Sequence, residues 1–142
     1  MSDEMMNKGR CLCGSVTITA KYLDPKVGVC HCSRCRKWTG GPLLALHCGP
    51  EVTIDNEASV TVYPSSDWAE RGFCKSCGSH LFYRFTESKE YIIPAGIFDD
   101  DQNFEMDHQI FIEEKPNYYS FANKTENMTG AEVFAKYAPA DE

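Results

Sequence analysis

No apolar run in this sequence approaches the roughly 20 residues that cross a bilayer, which excludes a helical membrane span and makes a soluble chain the expectation. A secretory leader is not expected either. Residues 1–10 mix Asp3, Glu4 and Asn7 with Lys8 and hold no apolar h-region, so export is not expected and the cytoplasm is the expected location. Two Asn-x-Thr triplets, at 123–125 and 127–129, then carry no meaning, because they matter only in a secreted chain. Basic charge is scarce as well: the net charge is −7, with 10 basic and 8 acidic residues over 1–85 but 4 and 13 over 86–142. A surface built to neutralise phosphates has the opposite balance, which argues against a nucleic-acid-binding ribbon. There is no internal repeat and no low-complexity segment, only the acidic run 99–101, read as a solvated turn.

What remains is ordinary in bulk and unusual in one residue type. At 142 residues, with 42% hydrophobic and 25% charged content, the chain fits a single domain over 1–142. It carries eight cysteines, at 11, 13, 30, 32, 35, 48, 74 and 77. In a reducing compartment clustered thiols are metal ligands rather than disulfides. Partners two residues apart also form strained bridges.

The clearest strand is 15–23, where Val16, Ile18, Ala20 and Tyr22 alternate with Thr17, Thr19 and Lys21. Further short strands are expected at 43–47, 52–54, 60–63, 72–73, 80–85, 91–93 and 109–112, each bounded by Gly, Pro, Asp or Ser. Residues 33–39 suit one helical turn stopped by Gly40, Gly41 and Pro42. A short last helix over 129–138 is signalled by Thr129 and Glu132 as a capping box, by Val133, Phe134 and Tyr137 on one face, and by Pro139 as its stop. The chain is therefore mainly β, a small fold of short antiparallel strands.

Cys11 and Cys13 lie two apart, so an extended backbone points both sulfurs to one face. Cys74 and Cys77 form a Cys-x-x-Cys turn closed by Gly78, which tolerates a positive φ. Together they offer four thiolates, the closed tetrahedral set of a structural zinc. Such a site contributes roughly 10–16 kcal/mol of apparent binding free energy to folding.

Cys30, Cys32 and Cys35 differ, because three thiolates fall within six residues with no obvious fourth. Three protein ligands and one exchangeable position is the layout of a catalytic zinc. The alternative is a second closed site completed by Cys48, His31 or His47, with Cys48 reading equally well as a core residue beside Leu44 and Leu46. Arg34, Arg36 and Lys37 adjoin the trio, and Arg71 and Lys75 adjoin the other motif; such cations offset thiolate charge or hold substrate carboxylates. His80 and His108 are candidates to orient substrate or carry a proton. Trp38, Phe82 and Trp68 read first as core.

Three motifs in order, Gly9-Arg10-Cys11-Leu12-Cys13-Gly14, the segment 30–40 and the segment 71–79, resemble the glutathione-dependent formaldehyde-activating enzyme family, related to the centromere protein V domain. Asp107-His108-Gln109-Ile110 resembles the family's later histidine motif, and the likeness spans about residues 9–121. The resemblance implies a fold like that of the small zinc-containing guanine-nucleotide-exchange chaperones. It implies structural zinc on Cys11, Cys13, Cys74 and Cys77, a second zinc on Cys30, Cys32 and Cys35, and condensation of formaldehyde with glutathione, in reverse a carbon–sulfur lyase reaction. On this reading the trio acts through its zinc, a cation or His108 stabilises a developing alkoxide, Arg36 and Lys37 hold glutathione's carboxylates, and the partner is a small thiol. The competing reading is a non-enzymatic zinc module that binds a protein.

Overall fold

The computed structural model describes residues 7–137, and they are mainly β. In chain order the elements are β1 (Asn7–Arg10), β2 (Thr17–Ala20), β3 (Lys26–Cys30), α1 (Ser33–Thr39), β4 (Leu43–Gly49), β5 (Val52–Asp55), β6 (Val60–Tyr63), β7 (Ala69–Cys74), β8 (His80–Phe85), β9 (Tyr91–Pro94), β10 (Glu105–Ile110), β11 (Glu126–Met128) and α2 (Gly130–Tyr137). Contacts gather them into two compact units made of interleaved segments. One takes the chain to Pro25 together with Ala45–Asn103, and the other takes Lys26–Leu44 together with the chain from Phe104.

In the first unit, Val16, Ile18 and Ala20 are wholly buried while Thr17 and Thr19 are half-buried, as period two requires of a strand with one face inside. The alternation ends earlier than expected. Lys21 N–H turns to the Glu51 carbonyl, and Tyr22 is left 57% exposed. β2 runs antiparallel between β1 and β5, with Ile18 opposite both Gly9 and Ile54. β1 had no apolar alternation to announce it, being Asn-Lys-Gly-Arg, and is a strand because β2 offers it an edge. From Ala45 onward β4 pairs with β9, and β9, β8, β7 and β6 follow as antiparallel neighbours. Leu46, Cys48, Ala69, Leu81, Phe82 and Ile93 fill the core of this unit. Phe82 stands edge-on to Tyr91 at 5.1 Å. Arg84 donates to Glu70 (2.7 Å) and to the Tyr91 hydroxyl (2.7 Å), its guanidinium lying over the Phe82 and Tyr91 rings.

The second unit departs from antiparallel pairing, because β10 runs parallel to both β3 and β11. Connectivity gives the reason: residues 31–104 separate β3 from β10 and residues 111–125 separate β10 from β11, long enough for the return a parallel pair needs. β10 covers 105–110 instead of 109–112, since Phe111 adopts a positive φ of 54° and Ile112–Glu114 wind into a 3-10 turn. Two carboxylates from that turn cap helices. Glu114 Oε1 accepts from Ser33 N–H (2.8 Å) at the start of α1, and Glu113 accepts from Gly130 N–H (3.0 and 3.1 Å) at the start of α2.

α1 ends at Gly40, whose N–H returns to Arg36 O at φ 85°. The capping box forms as expected: Thr129 Oγ1 accepts from Glu132 N–H (3.1 Å), and Glu132 Oε1 accepts from Thr129 N–H (2.8 Å). Phe134 packs edge-on to Phe111 at 5.8 Å. The Tyr137 side chain and the expected stop at Pro139 lie outside the described residues.

Candidate metal centres

The Sγ atoms of Cys11, Cys13, Cys74 and Cys77 lie within 4.8 Å of one another, and this group could hold a metal ion. Cys11 to Cys13 is 3.6 Å and Cys13 to Cys74 is 3.9 Å. Those distances far exceed the about 2.05 Å of a disulfide. They bracket the edge of about 3.8 Å that follows when tetrahedral sulfurs sit about 2.3 Å from a shared zinc. Donor set and spacing therefore fit such an ion.

Two matching turns bring the sulfurs together. In each, a cysteine pair is followed by Gly and Ser, and the glycine sits in the left-handed region, Gly14 at φ 82° and Gly78 at φ 81°. Gly14 N–H returns to Cys11 O (3.0 Å) and Gly78 N–H to Cys74 O (2.7 Å). A side chain at either position would strain the turn. Ser15 Oγ lies 3.1 Å from Cys13 Sγ, and Ser79 Oγ lies 3.2 Å from Cys77 Sγ. The Ser79 hydroxyl holds the Cys77 thiol down at about 5, the largest influence on it. The sequence reading passed over both serines, although each follows a Cys-Gly pair.

The Sγ atoms of Cys30, Cys32 and Cys35 form a second group within 4.8 Å, and among the described residues no fourth His, Cys, Asp or Glu joins it. Cys30 closes β3, Cys32 caps the N-terminus of α1, and Cys35 N–H donates to Cys32 Sγ (3.4 Å). The thiols cannot all ionise unaided. Hydrogen bonds from Cys30 and Cys35 pull Cys32 down to about 2, while the same contacts and burial push Cys30 up. A bound cation is what lets three adjacent thiols lose their protons together.

His31, between two members of the trio, is not a ligand. It is wholly buried, with Nε2 2.7 Å from Gln109 Oε1 and Nδ1 2.9 Å from the Tyr119 hydroxyl. Gln109 Nε2 donates to Thr125 Oγ1 (2.8 Å), so its oxygen must face the histidine. Hence His31 Nε2 carries the hydrogen and Nδ1 accepts from Tyr119 O–H. Burial lowers the imidazole pKa and keeps the ring neutral. His47 and Cys48 belong to the first unit. His47 is exposed; Cys48 is wholly buried, its thiol directed to Leu46 O (3.7 Å) and pushed up to about 12 by burial, which is the behaviour of a core thiol.

Arg36 donates through Nε to His31 O (2.9 Å), and among the described residues Nη1 and Nη2 are left for another partner. Lys37 is exposed and lies two positions beyond Cys35, about 200° round the helix, so it is not brought to the trio's face. His108 holds Asp107 Oδ1 at 2.6 Å through Nδ1, and its ring lies directly over Gly28, its register partner in β3. Gly28 and Cys30 share one face of β3, so His108 is offset from Cys30 by about 6–7 Å of strand. Arg71 is buried, bonded to Ser65 and stacked on Tyr83 at 4.9 Å, a structural role. His80 is half-buried, and burial with the nearby Arg71 charge lowers its pKa. Phe82 is core as expected, whereas Trp68 is 46% exposed.

The sequence model of the glutathione-dependent formaldehyde-activating enzyme family matches residues 6–114. An uncharacterized lyase of Schizosaccharomyces pombe is 39% identical over 127 residues, covering 89% of this chain and 93% of that one. The crystal structure of a Rhodobacter sphaeroides protein matches with a TM-score of 0.57 at 24% identity, over 65% of this chain and 87% of that chain, which is a likeness of fold. The two cysteine groups stand within the matched span, and the chain belongs to the glutathione-dependent formaldehyde-activating enzyme family.

Proposed function

We propose that the chain is a zinc-dependent carbon–sulfur lyase acting on a thiol–aldehyde adduct of the S-(hydroxymethyl)glutathione type, in a reducing cytoplasm. The observation that carries this reading is the trio Cys30, Cys32 and Cys35, which gathers three sulfurs and, among the described residues, no fourth ligand. Zinc held there would supply one open position in which a substrate thiol loses its proton at neutral pH. The four-thiolate group of the first unit is assigned a structural zinc.

The remaining work falls to the protein's own side chains. In the synthetic direction the thiolate sulfur attacks the aldehyde carbon, the C–S bond forms, and the carbonyl π pair moves to oxygen, which takes a proton. In cleavage the hydroxyl loses that proton, the C=O bond re-forms and the C–S pair returns to sulfur. No electrons are gained or lost overall. His108, oriented through Nδ1 by Asp107, is assigned the proton at that oxygen. Arg36, anchored by Nε on the His31 carbonyl, presents its outer nitrogens to a substrate carboxylate. Lys37, turned away from the trio on α1, is given no contact with the substrate.

Exchange NMR between formaldehyde hydrate and S-(hydroxymethyl)glutathione tests the assignment. The protein should accelerate exchange above the uncatalysed rate. Cys32→Ser should abolish the acceleration and reduce bound zinc from about two to about one per chain. Wild-type protein that carries both metals yet leaves exchange at background overturns the glutathione assignment.

A further inference from the structure

We propose that Ser15 and Ser79 form a reciprocal brace around Cys11, Cys13, Cys74 and Cys77 that controls how tightly this group retains its metal. Each serine touches the cysteine of its own turn and also reaches the other turn. Ser15 Oγ, beside Cys13 Sγ at 3.1 Å, lies 3.5 Å from Cys74 Sγ across the site and 3.8 Å from Cys11 Sγ. Ser79 Oγ, beside Cys77 Sγ at 3.2 Å, accepts from Leu12 N–H at 2.9 Å, which belongs to the opposite turn. The two bonds tie segments whose cysteines are 61 residues apart.

The chemistry of the hydroxyl suits this position. Ser79 Oγ accepts from Leu12 N–H with one lone pair, which leaves its own hydrogen and a second lone pair for Cys77 Sγ. Ser15 Oγ faces three sulfurs and points its hydrogen at whichever carries most charge. A hydroxyl accepts from a thiol and donates to a thiolate, so these side chains satisfy the sulfurs in either protonation state. Methyl groups can do neither. The arrangement does for thiolates what a carboxylate does for a metal-bound histidine: it fixes the ligand's direction and stabilises its charged form.

The inference rests on the reading that the four-thiolate group binds zinc, and the experiment separates the two. The full-length chain with Cys32→Ser is loaded with zinc, and its release to a chromogenic chelator is timed alone and with Ser15→Ala, Ser79→Ala, Ser15→Thr or Ser79→Thr. Each alanine variant should lose zinc about tenfold faster or more. The threonine variants, which keep the hydroxyl, should stay within about twofold of the parent. Alanine variants that release zinc at the parental rate overturn the brace, as do threonine variants that release it as fast as alanine. A parent that binds no zinc at all overturns the underlying metal reading. If an alanine variant purifies without metal, reloading with cobalt supplies the readout: the brace predicts thiolate-to-cobalt charge-transfer bands at a raised half-saturation, and parental half-saturation counts against it.

Discussion

His31 lies between two proposed metal ligands and offers a metal nothing, because both of its ring nitrogens are already engaged. Its direction follows from strand parity: Val27, Val29 and His31 fall on the buried face, and Gly28 and Cys30 on the other. The sequence reading left His31 open as a fourth ligand because a glycine in the middle of Lys26–Cys30 hid the strand that would have settled it. Tyr119→Phe removes the only donor to His31 Nδ1 found among the described residues and strands a buried nitrogen. It should cost about 1–3 kcal/mol in urea unfolding with metal content unchanged. Parental stability would mean that the Tyr119 bond is not made in solution. Ser15 and Ser79 were legible in principle, each following Cys-Gly, but no periodicity points to a hydroxyl beside a sulfur.

Elements with regular alternation could be read directly. β6 stands where the pattern places it, β2 forms the centre of the expected 15–23 strand, and the Thr129 capping box starts α2 as written. Elements defined by their neighbours could not: β1 and β11 are polar edge strands, and β10 begins with charged residues. The β3–β10 pair carries the sharpest consequence, since a Cβ on Gly28 would stand within 2.3 Å of His108 Nε2. Gly28→Ala must therefore push the imidazole away from its position beside Asp107. If His108 handles the proton, the rate of thiol–aldehyde exchange should fall by about 100-fold while zinc content holds. An unchanged rate would remove His108 from the reaction. In the first unit, Phe82→Ala should cost about 3–5 kcal/mol, read by urea denaturation, because Phe82 is almost wholly buried.

For the whole molecule, the succession of short, punctuated strand patterns correctly argued for a mainly β chain, and the cysteine spacing put seven of the eight thiols into the two groups whose sulfurs lie within 4.8 Å. The interleaving of two units was invisible in the sequence, because it depends on which distant segments pack together. Metal and fold should be coupled in the first unit, where the four-thiolate group joins Cys11 to Cys74. Stripping zinc with a strong chelator should lower Tm by about 10 °C or more or abolish cooperative melting. A chain that melts identically with and without zinc would deny the first site a structural role.

The central claim is that the two cysteine groups hold two zinc ions that differ in one coordination position. Anomalous diffraction at the zinc edge from crystals of the purified protein tests it most directly. Two peaks are predicted, one enclosed by Cys11, Cys13, Cys74 and Cys77 and the other bound by Cys30, Cys32 and Cys35 with a fourth ligand that is not a protein side chain. A single peak, or a second zinc closed by Cys48 or any other residue of the chain, would contradict the account.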